Sequence, residues 1–122
     1  MPQSLQRYVE SDVLRRFYAT LNSSIVDPDL FATHLIQNGF VTRQIAENKM
    51  PLGVSDYHKV QNLLGVVDAH IETAGSEDVM RRFHIFLSIL GNVFGLHDIA
   101  GQMASQCCMF NASLVAMSNI IK

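Results

Sequence analysis

A chain of 122 residues is long enough to bury one sizeable core and too short for two ordinary ones, and its 48% hydrophobic and 16% charged residues supply the apolar surface that disordered chains lack. Nine Lys and Arg against eleven Asp and Glu leave a net charge of -2, so the whole-domain attraction to phosphate that nucleic-acid binding requires is missing. The longest charge-free stretches, around Phe83 to His97 and Gly101 to Ile121, are broken by Gly, Asn, Ser, Gln or His, so no membrane span is expected.

Met1 to Glu10 contains Arg7 and Glu10 and no apolar run; it reads as an N-terminal extension (1–10) with no secretory signal. From there apolar residues recur at three and four spacing, the period of helix and not of strand. Leu14, Phe17, Tyr18, Leu21 and Ile25 form a first stripe, expected to start at a cap supplied by Ser11 or Asp12. Asp27-Pro28-Asp29 combines a capping carboxylate, a proline pre-set for the first helical position and a second acid at the positive helix end. A second helix follows, carrying Leu30, Phe31, His34 and Leu35, and Asn38-Gly39 closes it.

Thr42 opens a short third helix through Ile45 and Ala46, which Pro51-Leu52-Gly53 ends. Ser55 starts a fourth, with Tyr57, Val60, Leu64, Val67 and Ile71 in strict phase up to Thr73-Ala74-Gly75. Ser76, Glu77 and Asp78 predict a well-capped fifth helix bearing Val79, Phe83, Phe86, Leu87 and Leu90 as far as Gly91-Asn92. After Gly95, Leu96, Ile99, Ala100 and Met103 outline a sixth. Cys107, Phe110, Leu114, Met117 and Ile121 extend that phase, as a seventh helix or a prolongation of the sixth, packed on the bundle or paired with a second copy. The chain thus divides into 1–10, a helical domain at 11–106 and an apolar tail at 107–122, with Leu21, Leu64, Phe83 and Leu87 at the centre of the core.

Two strings, Ile25-Val26-Asp27-Pro28-Asp29-Leu30 and Leu35-Ile36-Gln37-Asn38-Gly39-Phe40-Val41-Thr42, together with Leu63-Leu64, Phe83 to Leu90 and Gly95-Leu96-His97-Asp98-Ile99-Ala100, fall in an order and spacing that resembles the caspase recruitment domain (CARD) of the death-fold superfamily. The likeness covers about Ser11 to Gln106. It implies an all-α, six-helix antiparallel Greek-key bundle, to which the tail would add a further helix. It also implies a cytoplasmic adaptor or regulator in apoptotic or innate immune signalling that binds CARD-containing proteins (a caspase, scaffold or kinase), self-associates by oligomerisation and carries no catalytic activity. Two features depart from the family: the apolar tail and the scarcity of charge on the helix faces.

Five histidines, His34, His58, His70, His84 and His97, form no HExxH pattern, and Cys107-Cys108 stand at no zinc-site spacing. Gly91 and Gly95 lack the Lys-Ser/Thr ending of a phosphate loop, and no cofactor is expected. Adjacent cysteines also make a poor structural disulfide, which fits a reducing compartment. What remains is charge. The resemblance implies two complementary contact patches, a basic one of Arg15, Arg16 and Lys59 and an acidic one of Asp27, Asp29 and Glu47. A rival reading is a helical structural or dimerisation domain that associates through its C-terminal apolar stripe, outside death signalling.

Overall fold

The computed structural model describes residues 8–107, all of whose regular structure is helical. The helices are α1 (Val9–Arg16), α2 (Tyr18–Ser24), α3 (Pro28–Gln37), α4 (Arg43–Asn48), α5 (Asp56–Glu72) and α6 (Val79–Phe94), followed by α7, helical over 97–107. The result is an all-α bundle. The long α5 is its hub, lying against α1, α2, α3 and α6.

Local chemistry sets most boundaries. Asp27 accepts the Leu30 N–H at 3.1 Å with Pro28 in the first turn of α3. Thr42 Oγ1 accepts the Ile45 N–H at 3.2 Å to start α4, and Ser55 Oγ accepts the His58 N–H at 3.2 Å to start α5. Gly39 and Gly95 take φ of 79° and 70° at the ends of α3 and α6, a left-handed conformation that costs glycine nothing and a Cβ-bearing residue about 1 kcal/mol or more.

Three expected starts or continuities differ. The first stripe is two helices, because Phe17 adopts φ −100°, ψ 4° and its N–H reaches back to Leu14 at 3.1 Å. The tightened turn leaves Leu14, Phe17 and Leu21 all buried. Neither Ser11 nor Asp12 is a cap: α1 begins earlier, Tyr8 being its boundary residue, and Tyr8 Oη donates to Ala74 O at 2.9 Å, so the folded unit reaches back before Ser11. Ser76 lies in a turn ahead of α6, whose boundary residue Asp78 makes no side-chain cap. The Asp78 carboxylate instead accepts from Arg81 Nε at 2.6 Å and Arg82 Nε at 2.7 Å. Those bonds, Arg81's foremost, hold the Asp78 carboxyl at about 2, below its ordinary 3.8. Arg82 also donates to His70 O at 2.6 Å, joining α6 to the end of α5.

The core centres where the periodicity placed it: Leu21, Leu64 and Phe83 are fully buried and Leu87 nearly so. Phe31 of α3 meets Phe86 at 6.3 Å and Phe94 edge-on at 5.8 Å between ring centroids, an arrangement aromatic pairs favour. Met103 and Cys107 of the tail stripe are buried against the bundle, whereas Phe110, Leu114, Met117 and Ile121 lie outside the described residues. Tyr57, counted in the α5 stripe, is more than half exposed. It stands one turn before Val60, at the end of the helix that reaches past the core.

Candidate functional site

Arg15 is committed inside the molecule. Its Nη2 and Nε donate to Asp68 Oδ2 at 2.6 and 3.0 Å, and Nη2 reaches Glu72 Oε2 at 3.3 Å. Ser11 Oγ donates its one hydrogen to Asp68 Oδ1 at 2.6 Å and lies 3.1 Å from Glu72 Oε2. Ser11 and Arg15 share a face of α1 at i, i+4, and Asp68 and Glu72 share a face of α5 at the same spacing, so two side-by-side helices bring four groups into register. The bond to Asp68 raises the Arg15 pKa further above its ordinary value. Arg16 points elsewhere and donates to Gln106 Oε1 at 3.2 Å.

Lys59 joins neither. At about 100° per residue it lies about 180° around α5 from Asp68, on the flank that also carries Val66 and His70. The three cations expected as one basic patch therefore occupy separate surroundings. The acids are placed differently. Asp27 and Asp29 flank the α2–α3 corner, and Glu47 is exposed on α4; among the described residues none of the three makes an ion pair within 4.0 Å. On either side of the two corner acids in the sequence stand Val26, 75% exposed, and Leu30, 37% exposed. An apolar pair set among unpaired carboxylates is the composition of a contact patch with a polar rim.

A second surface lies between α4 and α5. A shallow groove of about 580 Å³ has Phe40, Val41 and Val66 in its lining, with Ile45, Gly65 and Ala69 along its open sides. Ile45 is 45% exposed. Lys49 and His70 border it, and Lys49, like the corner acids, has no ion-pair partner among the described residues. The His70 ring packs at a 45° tilt to Phe40 with centroids 4.7 Å apart. Burial, then the nearby Arg82, lowers its pKa from 6.5, so it stands neutral at neutral pH. Ile45, read from the sequence only as part of the third helix, and Lys49, not singled out there, were missed as contact residues; the signal was their i, i+4 spacing at the end of a short helix opposite the small residues Gly65 and Ala69.

Elsewhere, a cavity of about 210 Å³ between α2 and α5 is lined by Asn22, Tyr18, Tyr57 and Leu64 among others, and the buried Asn22 Oδ1 has no hydrogen-bond partner among the described residues. His58 Nδ1 lies 2.8 Å from Ser55 Oγ. Among the described residues no three His, Cys, Asp or Glu side chains are gathered as a metal ion would need, and no helix there is long and apolar enough to cross a membrane. No family model, curated protein or solved structure matches the chain.

Proposed function

We propose that the chain is a homotypic protein–protein interaction module of the CARD type, with death-fold Greek-key connectivity, serving as an adaptor or regulator of apoptotic or innate immune signalling in the cytoplasm. The observation that carries the reading is the α2–α3 corner. The string that bears the family likeness is also where exposed Val26 and Leu30 stand among the unpaired Asp27 and Asp29, on a helix start fixed by the Asp27 cap. A rigid junction presents this patch at little entropic cost on binding. Its acids speed encounter with a basic partner and set register, while the apolar pair sets lifetime once desolvated. Arg16 and Lys59 remain available as contacts for an acidic partner surface, and Arg15 contributes by holding α1 in place.

The test is capture from cytosol with the chain as bait and identification of what is held. A CARD-bearing caspase, scaffold or kinase is expected with the parent and is lost with Asp29→Arg, an exposed change that spares the cap. Recovery of no CARD-bearing protein, or equal recovery by both baits, overturns the proposal.

A further inference from the structure

The α2–α3 corner and the α4–α5 groove are complementary in charge and both carry exposed apolar residues. The corner offers two exposed aliphatic residues that flank two carboxylates in the sequence, and the α4–α5 groove offers apolar walls with an ammonium at the border. Glu47, the acid nearest Lys49 in α4, lies about 160° around the helix from Ile45, so it faces away from the groove. The groove's sides are built for close approach. Gly65 and Ala69 lie one above the other on α5, and a Cβ added at Gly65 meets nothing within 4 Å.

We infer that the α2–α3 corner of one copy seats in the α4–α5 groove of a second copy, with Val26 and Leu30 against Ile45, Val66 and Ala69 and with Asp29 beside Lys49. This rests on the homotypic reading and assigns it a pairing other than the one between acidic residues and Arg15, Arg16 and Lys59. A molecule cannot satisfy itself in this way. The corner opens α3, whereas Phe40 in the groove follows its end, and the ten residues of α3 span about 15 Å. The contact uses two different surfaces, so each docked copy leaves one corner and one groove free. Such a heterologous contact propagates a chain of molecules and does not close a dimer.

Charge complementarity singles out a second copy as the occupant: Lys49 at the groove makes no ion pair among the described residues, and the most exposed aliphatic residue of the described chain that adjoins an acid is Val26. If the true occupant were an apolar segment of an unrelated protein, the free chain would show no growth with concentration.

Sedimentation equilibrium of the full chain over a wide concentration range tests the pairing, with circular dichroism and melting confirming that each variant is folded. The parent mass is expected to rise without saturating. Val26→Glu and Ala69→Glu, both at exposed positions, each weaken association by about tenfold or more. Mixed in equal amounts they form a one-to-one complex that grows no further, because one keeps its groove and the other its corner. Asp29→Lys and Lys49→Glu each weaken association alone, and the double variant recovers it. A parent that stays monomeric throughout, or variants that associate like the parent, overturns the pairing. Should association persist in these variants while CARD-bearing proteins are still captured in an Asp29-dependent way, the homotypic reading stands and only this pairing falls. Should the pairing hold with no such protein captured, self-association through these two surfaces stands and the assignment to CARD signalling falls.

Discussion

Replacing Arg15 by Ala tests the link between α1 and α5. The variant removes hydrogen bonds of 2.6 and 3.0 Å from Asp68, a carboxylate whose side chain is 7% exposed against 42% for Arg15. Breaking a fully buried ion pair costs about 3–5 kcal/mol, and an exposed pair is worth only about 0.2–1 kcal/mol. With one partner buried and the other half in water, the loss lies between, at about 2 kcal/mol. Ser11 Oγ stays as a donor to Asp68 at 2.6 Å and keeps the cost below that of full orphaning. At a slope of about 1–1.5 kcal/mol per molar, the urea midpoint should fall by more than about 1 M. Arg15→Glu should cost more, since it adds a third carboxylate beside Asp68 and Glu72. Asp68→Asn should be less harmful in the Arg15→Ala background than in the parent, which gives the pair a measurable coupling. An Arg15→Ala midpoint within about 0.3 M of the parent would refute the reasoning and return Arg15 to the pool of free surface charges.

Phe83 is fully buried at the heart of α6, so Phe83→Ala should cost roughly 3–5 kcal/mol, read from the urea midpoint; a near-normal midpoint would show that the core lies elsewhere. Gly65→Ala should stabilise by about 0.5–1 kcal/mol, because the exposed position is in mid-helix and an added methyl meets nothing; a lower melting temperature in the variant would contradict the open space. His70 is held below its ordinary 6.5 by burial and by Arg82, so near that pH the unfolded chain binds more protons than the folded one. Stability should therefore fall as pH drops through 6.5, and the drop between pH 7.5 and pH 5.5 should shrink in His70→Gln, measured as the difference in urea midpoint.

The readable parts of the fold were those decided within a few residues. Asp27, Thr42 and Ser55 each cap an amide three positions ahead, and Gly39 closes a helix with a left-handed φ; such contacts are written in adjacent letters, whereas the end expected at Gly91-Asn92 is passed and α6 runs on to Phe94 before Gly95 closes it. The break at Phe17 was not, because Leu14, Phe17, Tyr18, Leu21 and Ile25 keep one apolar phase across it and only packing decides where the helix bends. Ser76 failed as a start for a related reason. Asp78, nearer the helix, gives its carboxylate to two arginines, and the chain turns at 76–78 without a side-chain cap.

Candidate contacts were harder to read than the core, because a charge in a sequence does not declare whether it is spent. Arg15 looked like an adjacent twin of Arg16, yet its partner Asp68 is 53 positions away, visible only as matched i, i+4 pairs on two helices. Lys59 seemed to join them because α5 borders α1, but the helical turn sends it to the other flank. Those assignments change where a partner can bind. A guanidinium already bonded to a buried carboxylate must give up those bonds before it serves another molecule, whereas among the described residues Lys49, Asp29 and Glu47 have no such ion pair to break. Exposed apolar area stands beside the charges that remain, at Val26 and Leu30 by Asp29 and at Ile45 by Lys49. Recognition is therefore to be sought at the α2–α3 corner and the α4–α5 groove, while the clamp between α1 and α5 serves the fold.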